Sequence, residues 1–233
     1  MANIYSVSLD GNDAFSATDH ADFKPTGAFT VGGWFKSASA TTQRLVFQSF
    51  SYILTKYAGI RLYIETDHKL TFDTGKNTGN VDGTDVKFIH GSTTIDDGSW
   101  CWGVVTWNGT HLNLYVNGSP DADAVAWANA PAYNATNYVR VGCKSNDGSN
   151  AGFFTGNLDE IFLINGTAWD ASTVTNYYKK FLTGATNLKA YYQLENNGND
   201  STAGAHTLTN IGSPTYQTDV PFVDVFVPKV III

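Results

Sequence analysis

Residues 100–118, WCWGVVTWNGTHLNLYVNG, constrain the fold of this chain more than any other stretch. Read with period two, Trp100, Trp102 and Val104 take one face of a strand, and Cys101, Gly103, Val105 and Trp107 take the other. A polar break, Asn108-Gly109-Thr110, follows. Leu112, Leu114 and Val116 then alternate with His111, Asn113, Tyr115 and Asn117 up to the Asn117-Gly118 dipeptide. Two alternating runs, a glycine-containing connection and an Asn-Gly exit predict a β-hairpin. Large apolar rings on both faces of its first strand place that strand inside a layered β structure, with Trp100, Trp102 and Trp107 at the centre of a two-sheet core.

The rest of the chain supplies matching strands. Segments 4–9, 14–17, 29–36, 44–50, 53–56, 60–66, 69–73, 86–90, 138–143, 157–165, 188–194 and 207–211 read as short strands separated by turn residues. Gly32-Gly33 removes two successive side chains from FTVGGWFK, which predicts close backbone approach or a bulge there. The helix signal is at 170–182, with Asp170 as N-cap, Gly184 as stop, and Val174, Tyr177, Tyr178 and Phe181 on one face. The pattern predicts an all-β chain: an antiparallel two-sheet jelly-roll β-sandwich with one short rim helix at about 171–182. One domain over residues 1–217, closed by strands within 188–211, leaves an apolar tail at 218–233. The tail ends in Val230, Ile231, Ile232 and Ile233, which are expected to dock on their own domain or on a neighbouring subunit.

Composition narrows the function classes. With 14 Lys+Arg against 21 Asp+Glu, a formal net charge of −7 and no basic cluster, charge-driven binding of nucleic acid is not expected. No apolar run is long enough to span a bilayer, so membrane insertion is not expected either. The opening MANIYSVSLDGND carries no Sec signal pattern. Cys101 and Cys143 read as two buried small hydrophobes, a single bridge between neighbouring strands being the alternative.

Five stretches in order, SLDGND, FTVGGWFK, SWCWGVVTWNGTHLNLYVNG, YVRVGC and GNLDEIFLING, followed by the short helix, resemble the laminin-G-like, concanavalin A-like jelly-roll domains of the lectin-glucanase superfamily. The resemblance covers roughly residues 4–182 and implies the sandwich fold. It also implies a structural Ca²⁺ held between the N-terminal strand and the Leu-Asp-Glu strand, pointing to Asp159 with Asp10 and nearby carbonyls. The plain alternative is an Asx-type turn at Asp10 and backbone hydrogen bonding at Asp159. Function does not follow from such a scaffold alone.

Catalytic chemistry is not legible. The glucanases of this sandwich carry Glu-x-Asp-x-x-Glu, which Asn157-Leu158-Asp159-Glu160-Ile161-Phe162 does not meet. Asp121 and Asp123 have i, i+2 spacing but sit in a loop beside Pro120. His20, His68, His90, His111 and His206 are scattered, without zinc-ligand spacing. Sugar recognition needs an aromatic platform beside amide and carboxylate groups. Three loops offer these: Trp127 and Tyr133 in 120–135, Asn77 and Asp82 in 75–85, and Asn146, Asp147 and Asn150 in 144–151. Trp127 as a lid folded over the core is the competing reading. The sequence therefore predicts a non-catalytic recognition or assembly module of a virion (a phage head-decoration or tail protein) or of another surface, with protein subunits or glycans as partners. A carbohydrate-binding adhesin of a bacterial cell surface is the alternative.

Overall fold

The computed structural model describes residues 2–38, 44–53, 56–76, 84–135, 137–145 and 148–223. Asn77, Asp82, Asn146, Asp147 and Val230–Ile233 lie outside the described residues. The strands run in order β1 (Ser6–Asp10), β2 (Ala14–Ala17), β3 (Phe29–Ala38), β4 (Arg44–Ile53), β5 (Lys56–Ile64) and β6 (Lys69–Lys76). Then come β7 (Val86–Thr94), β8 (Asp97–Trp107), β9 (His111–Val116), β10 (Ser119–Pro120), β11 (Val125–Ala126) and β12 (Tyr138–Val141). The last are β13 (Lys144–Ser145), β14 (Asn150–Ala151), β15 (Thr155–Asn165), β16 (Leu188–Tyr192), β17 (Thr209–Ile211) and β18 (Thr215–Gln217), with helix α1 (Ala171–Tyr177) between β15 and β16.

The strands form two large antiparallel sheets. One orders β10-β9-β8-β3-β15-β1-β18, with β11 also on β9 and β16 also on β15; the other orders β17-β2-β12-β4-β5-β6-β7. Between them lies the main core, including Phe29, Phe35, Phe72, Trp107, Leu114, Val141 and Ile161. Full burial of each such side chain stabilises the fold by about 1.5–3 kcal/mol.

The hairpin forms where the sequence places it. The side chain of Asn108 accepts from the Thr110 and His111 amides at 3.0 and 2.9 Å, closing the β8–β9 turn. Asn117 and Gly118, with φ of 51° and 83°, turn β9 into β10, the left-handed pair that a two-residue hairpin turn needs.

The role of its tryptophans differs from expectation. Trp107 belongs to the inter-sheet core, but Trp102 and Trp34 point from the opposite face of the nine-stranded sheet into a second cluster with Tyr115, Phe162, Trp169 and Val174. Trp100 is half-buried, and its ring N–H donates to Asp219 at 2.9 Å. A third layer covers that outer face. Tyr178, just past α1, packs its ring 5.5 Å from Trp34 and 5.8 Å from Trp102, and Phe222 lies 6.0 Å from Trp34. The helix itself sits at the edge of that sheet, where the Thr175 hydroxyl donates to the Gly118 carbonyl beside β10 at 2.8 Å, and the segment after it covers the outer face. It is also shorter than 170–182: Asp170 caps it by accepting from the Thr173 amide at 2.7 Å, but Tyr178 leaves helical geometry and Lys179 turns left-handed at φ 59°. Tyr178 and Phe181 still reach the apolar layer from an irregular segment.

The glycine pair in β3 marks close approach, as its composition predicts. A Cβ on Gly32 would lie 2.5 Å from the Gly103 carbonyl oxygen, and one on Gly33 would collide with Ile161. Opposite them β15 bulges, with register shifting between Asp159 and Phe162 and Glu160 at φ 51°. At that bulge the outer neighbour of β15 changes from β1 (Val7↔Leu158) to β16 (Ile161↔Tyr192).

Candidate functional site

The outward face of the seven-stranded sheet is not an ordinary solvated face. Along β5, Ile60, Leu62 and Ile64 enter the core, so Tyr57, Arg61 and Tyr63 point outward. Pairing of Asp73 with Arg61 and with Phe88, and of Thr71 with His90, brings these side chains onto the same surface. Lys144, from the small β13–β14 ribbon, completes the wall. The result is a cleft of about 380 Å³ lined by Tyr57, Arg61, Tyr63, Glu65, Phe88, His90 and Lys144.

A buried ion pair forms the floor. Arg61 Nε donates to both oxygens of Asp73 at 2.9 and 3.1 Å, and its Nη2 donates to Asp73 Oδ2 as well. The guanidinium carbon lies 4.3 Å from the Phe50 ring centre, 5.3 Å from Tyr57 and 5.7 Å from Tyr63. Although burial lowers the Arg61 pKa, the charge and hydrogen bonds of Asp73 outweigh it, so the guanidinium stays protonated. Burial pushes the Tyr63 phenol up, with Asp73 adding to the shift. Burial also lowers the Lys144 amine, as does the Arg61 charge, against the opposing pull of Asp73 and Glu65. The wall opposite is aromatic: Phe88 and His90 stack with centres 6.0 Å apart and planes 10° from parallel. The cleft thus offers ring faces for flat apolar contact beside cationic, carboxylate and imidazole hydrogen-bonding groups.

The residues singled out from sequence sit elsewhere. Trp127 is buried, its carbonyl accepts from the Trp107 indole at 2.8 Å, and its amide donates to the Thr110 carbonyl at 2.8 Å. It is the lid on the core and presents no platform. Tyr133 is half-buried, with its hydroxyl inside and its pKa raised by burial. Asn150 is exposed on β14 and accepts from Arg140 at 3.1 Å. Asp121 is buried and takes hydrogen bonds from the Ser92 and Thr93 amides and hydroxyls, so it anchors the end of β7, while Asp123 is exposed. Cys101 and Cys143 are free thiols, both buried.

A family model described as the Concanavalin A-like lectin/glucanases superfamily matches residues 9–175. The chain belongs to this superfamily. No curated protein is significantly similar to it in sequence. Among solved structures, a candidate carbohydrate-binding protein from Bacteroides ovatus ATCC 8483 superposes with a TM-score of 0.70 at 14% identity, covering 94% of this chain and 61% of that one. The chain thus spans less than two thirds of the Bacteroides protein. A heptameric SAP-like pentraxin from Limulus polyphemus gives 0.63 at 13% identity over 94% of this chain and 97% of the pentraxin. CBM40 of the Ruminococcus gnavus IT-sialidase gives 0.60 at 11% identity over 76% and 100%, and that module is also solved bound to alpha2,3 sialyllactose. At these identities the likeness establishes the fold.

Within the superfamily fold, the two expected calcium ligands do not meet. Asp10 pairs with Thr155 at the start of β15, and Asp159 lies four residues further on, roughly 13 Å away at about 3.3 Å per residue. Asp10 is exposed and accepts from the Asn12 amide at 2.8 Å, which is the Asx-turn alternative. Asp159 is fully buried at the bulge, accepting from Asn3 Nδ2 at 3.1 Å and from the Glu160 amide at 2.9 Å. Burial, and the nearby Glu195 charge, hold its carboxyl well above the usual range. Glu160 is raised in the same way by burial and by Asp159, and it accepts from the Tyr191 hydroxyl. Asn3 Oδ1 and Glu160 Oε1 are buried without hydrogen-bond partners among the described residues. Asn3, Asp159 and Glu160 thus carry oxygen donors of the type that Ca²⁺ takes, and Asp10 stands apart from them.

Two histidines that look scattered in the sequence also converge. His20, Asp22 and His206 present ligand atoms all within 4.8 Å of one another.

Proposed function

We propose that the chain is a non-catalytic carbohydrate-binding module whose site is the cleft on the outward face of the seven-stranded sheet. The observation that carries this reading is the pairing of ring faces with charged and polar groups in one open cleft lined by Tyr57, Arg61, Tyr63, Glu65, Phe88, His90 and Lys144. Sugars present apolar C–H faces and a rim of hydroxyls, so they need both kinds of group at once. Phe88 and Tyr57 would stack on a ring, while Lys144, His90 and Glu65 would reach its hydroxyls. Arg61, tied to Asp73, would hold Tyr57 and Tyr63 in place from beneath. The named relatives support this reading, because a carbohydrate-binding candidate and a sialidase module bound to a sialylated sugar share the fold. They favour the adhesin-type alternative drawn from the sequence over assembly into a virion.

The test is a glycan array on the purified chain, followed by titration calorimetry with the best ligand on wild type, Tyr57→Ala and Phe88→Ala. Each substitution is expected to weaken binding by about tenfold or more, equal to about 1.4 kcal/mol. No glycan bound, or both folded variants binding like wild type, would overturn the assignment of this cleft. A structural Ca²⁺ at Asp159, with Asn3 and Glu160 as further ligands, is part of the same reading. Melts in EDTA and in added Ca²⁺ that coincide, with no calcium in elemental analysis, would remove it.

A further inference from the structure

We propose that His20, Asp22 and His206 form a binding site for a divalent transition-metal ion, zinc foremost, which clips the loop between β2 and β3 to the loop entering β17. His206 Nε2 lies 2.9 Å and His20 Nδ1 3.3 Å from the same oxygen of Asp22, Oδ2. Tetrahedral zinc bound at about 2.0–2.1 Å sets its ligand atoms about 3.3 Å apart, so side-chain shifts that release His20 Nδ1 from the Asp22 amide, which donates to it at 3.2 Å, admit an ion. Lys189 approaches the other oxygen, Oδ1, at 3.6 Å and leaves Oδ2 to the histidines.

The surroundings fix His206 for this task. Asp200 accepts from the Tyr191 amide, the Thr202 amide and hydroxyl, and the His206 amide, at 2.9–3.0 Å, which sets the 200–206 loop. The Tyr192 hydroxyl donates to the His206 carbonyl at 2.8 Å, and the Phe23 ring lies 5.0 Å from the imidazole. Gly204 keeps the ligating edge open, since a Cβ there would stand 2.7 Å from His206 Nε2. His20 sits at the mouth with its side chain 54% exposed, its ring centre 4.5 Å from that of His206.

The donor set decides the ion class. Two imidazoles and one carboxylate suit Zn²⁺, Co²⁺, Ni²⁺ or Cu²⁺, whereas Ca²⁺ and Mg²⁺ take oxygen ligands. Three protein ligands leave a fourth position for water or an outside donor. The clip joins residues 184 apart in sequence, so binding stabilises the closure of the C-terminal segment on the N-terminal one.

The experiment is calorimetric titration of tag-free, EDTA-stripped protein with ZnCl₂ at pH 7.5, with Co²⁺ absorption in the visible as a ligand-field readout. One equivalent is expected to bind, raising the melting temperature, with CaCl₂ failing to compete. His20→Ala and His206→Gln should each weaken zinc by more than about tenfold, as ligand losses do, while His111→Ala, at an exposed histidine elsewhere, should not. Should His206→Gln fail to fold, the exposed His20→Ala still decides the matter. No zinc uptake by wild type, or uptake unchanged in His20→Ala, overturns the site.

Discussion

The ion pair beneath the cleft yields the sharpest stability prediction. Arg61 and Asp73 have side chains 10% and 0% exposed, and Asp73 accepts every hydrogen bond that Arg61 makes to it. Replacing Asp73 by Leu leaves the guanidinium buried against Phe50, Tyr57 and Tyr63 with no counter-charge. Removing one partner of a buried pair costs about 3–5 kcal/mol, whereas replacing both by apolar groups of similar size is close to neutral. For a domain of this length about 1 kcal/mol corresponds to about 2–4 °C. Asp73→Leu is therefore expected to lower the melting temperature by about 6–20 °C, and the double variant Arg61→Met/Asp73→Leu to regain most of it. Circular dichroism or calorimetric melts of wild type, single and double variants measure this directly. A single variant within about 3 °C of wild type, or a double as damaged as the single, refutes the argument from an uncompensated buried charge.

Three further outcomes follow from the packing. Gly32→Ala drives a methyl group toward the Gly103 carbonyl, whose backbone cannot rotate away, so it should cost about 1–3 kcal/mol, read as a lower denaturation midpoint; an unchanged midpoint would contradict the close approach. Burial pushes the Cys143 thiol up to about 11, and burial with the Asp121 and Asp97 charges pushes Cys101 higher still. Neither should react with a thiol-specific dye in the native protein and both should react in denaturant; rapid native labelling at neutral pH would count against this. Ending the chain after residue 218 removes Phe222 from Trp34 and Phe181, and Asp219 from Lys36 and Trp100, so the shortened chain should lose about 2–4 kcal/mol; equal stability would show that this segment only rests on the surface.

What the sequence discloses and conceals divides along the reach of each interaction. The hairpin was legible because alternation and an Asn-Gly turn are local, and Gly32-Gly33 announced close approach for the same reason. The helix reads longer in the sequence than it is because Tyr178 and Phe181 keep helical spacing even though they pack from irregular chain. Trp127 offered the right ring for a ligand platform, but its neighbours Thr110 and Trp107 draw it inward. The cleft was missed because no single stretch contains it: Tyr57, Phe88 and Lys144 meet only through the lateral pairing of the sheet. One local trace existed, the alternation of Tyr57, Arg61 and Tyr63 with Ile60, Leu62 and Ile64, which puts aromatics on a face that is usually polar. The histidine pair left no such trace, since His20 and His206 approach through strands at opposite ends of the chain.

Those end strands bear on how the chain is made. Among the described residues, β1 pairs only with β15 and β18, and β2 only with β12 and β17. At about 5–20 residues per second on the ribosome, β1 emerges and waits on the order of 10 s before its nearest partner is synthesised. In that interval the meander β4–β7 and the β8–β9 hairpin can form from neighbours already present, while the inner face of β1, with Val7 and Leu9, stays open to solvent. Vectorial synthesis therefore lets the middle of this sandwich pair first, while β1 and β2 wait longest between emerging and pairing.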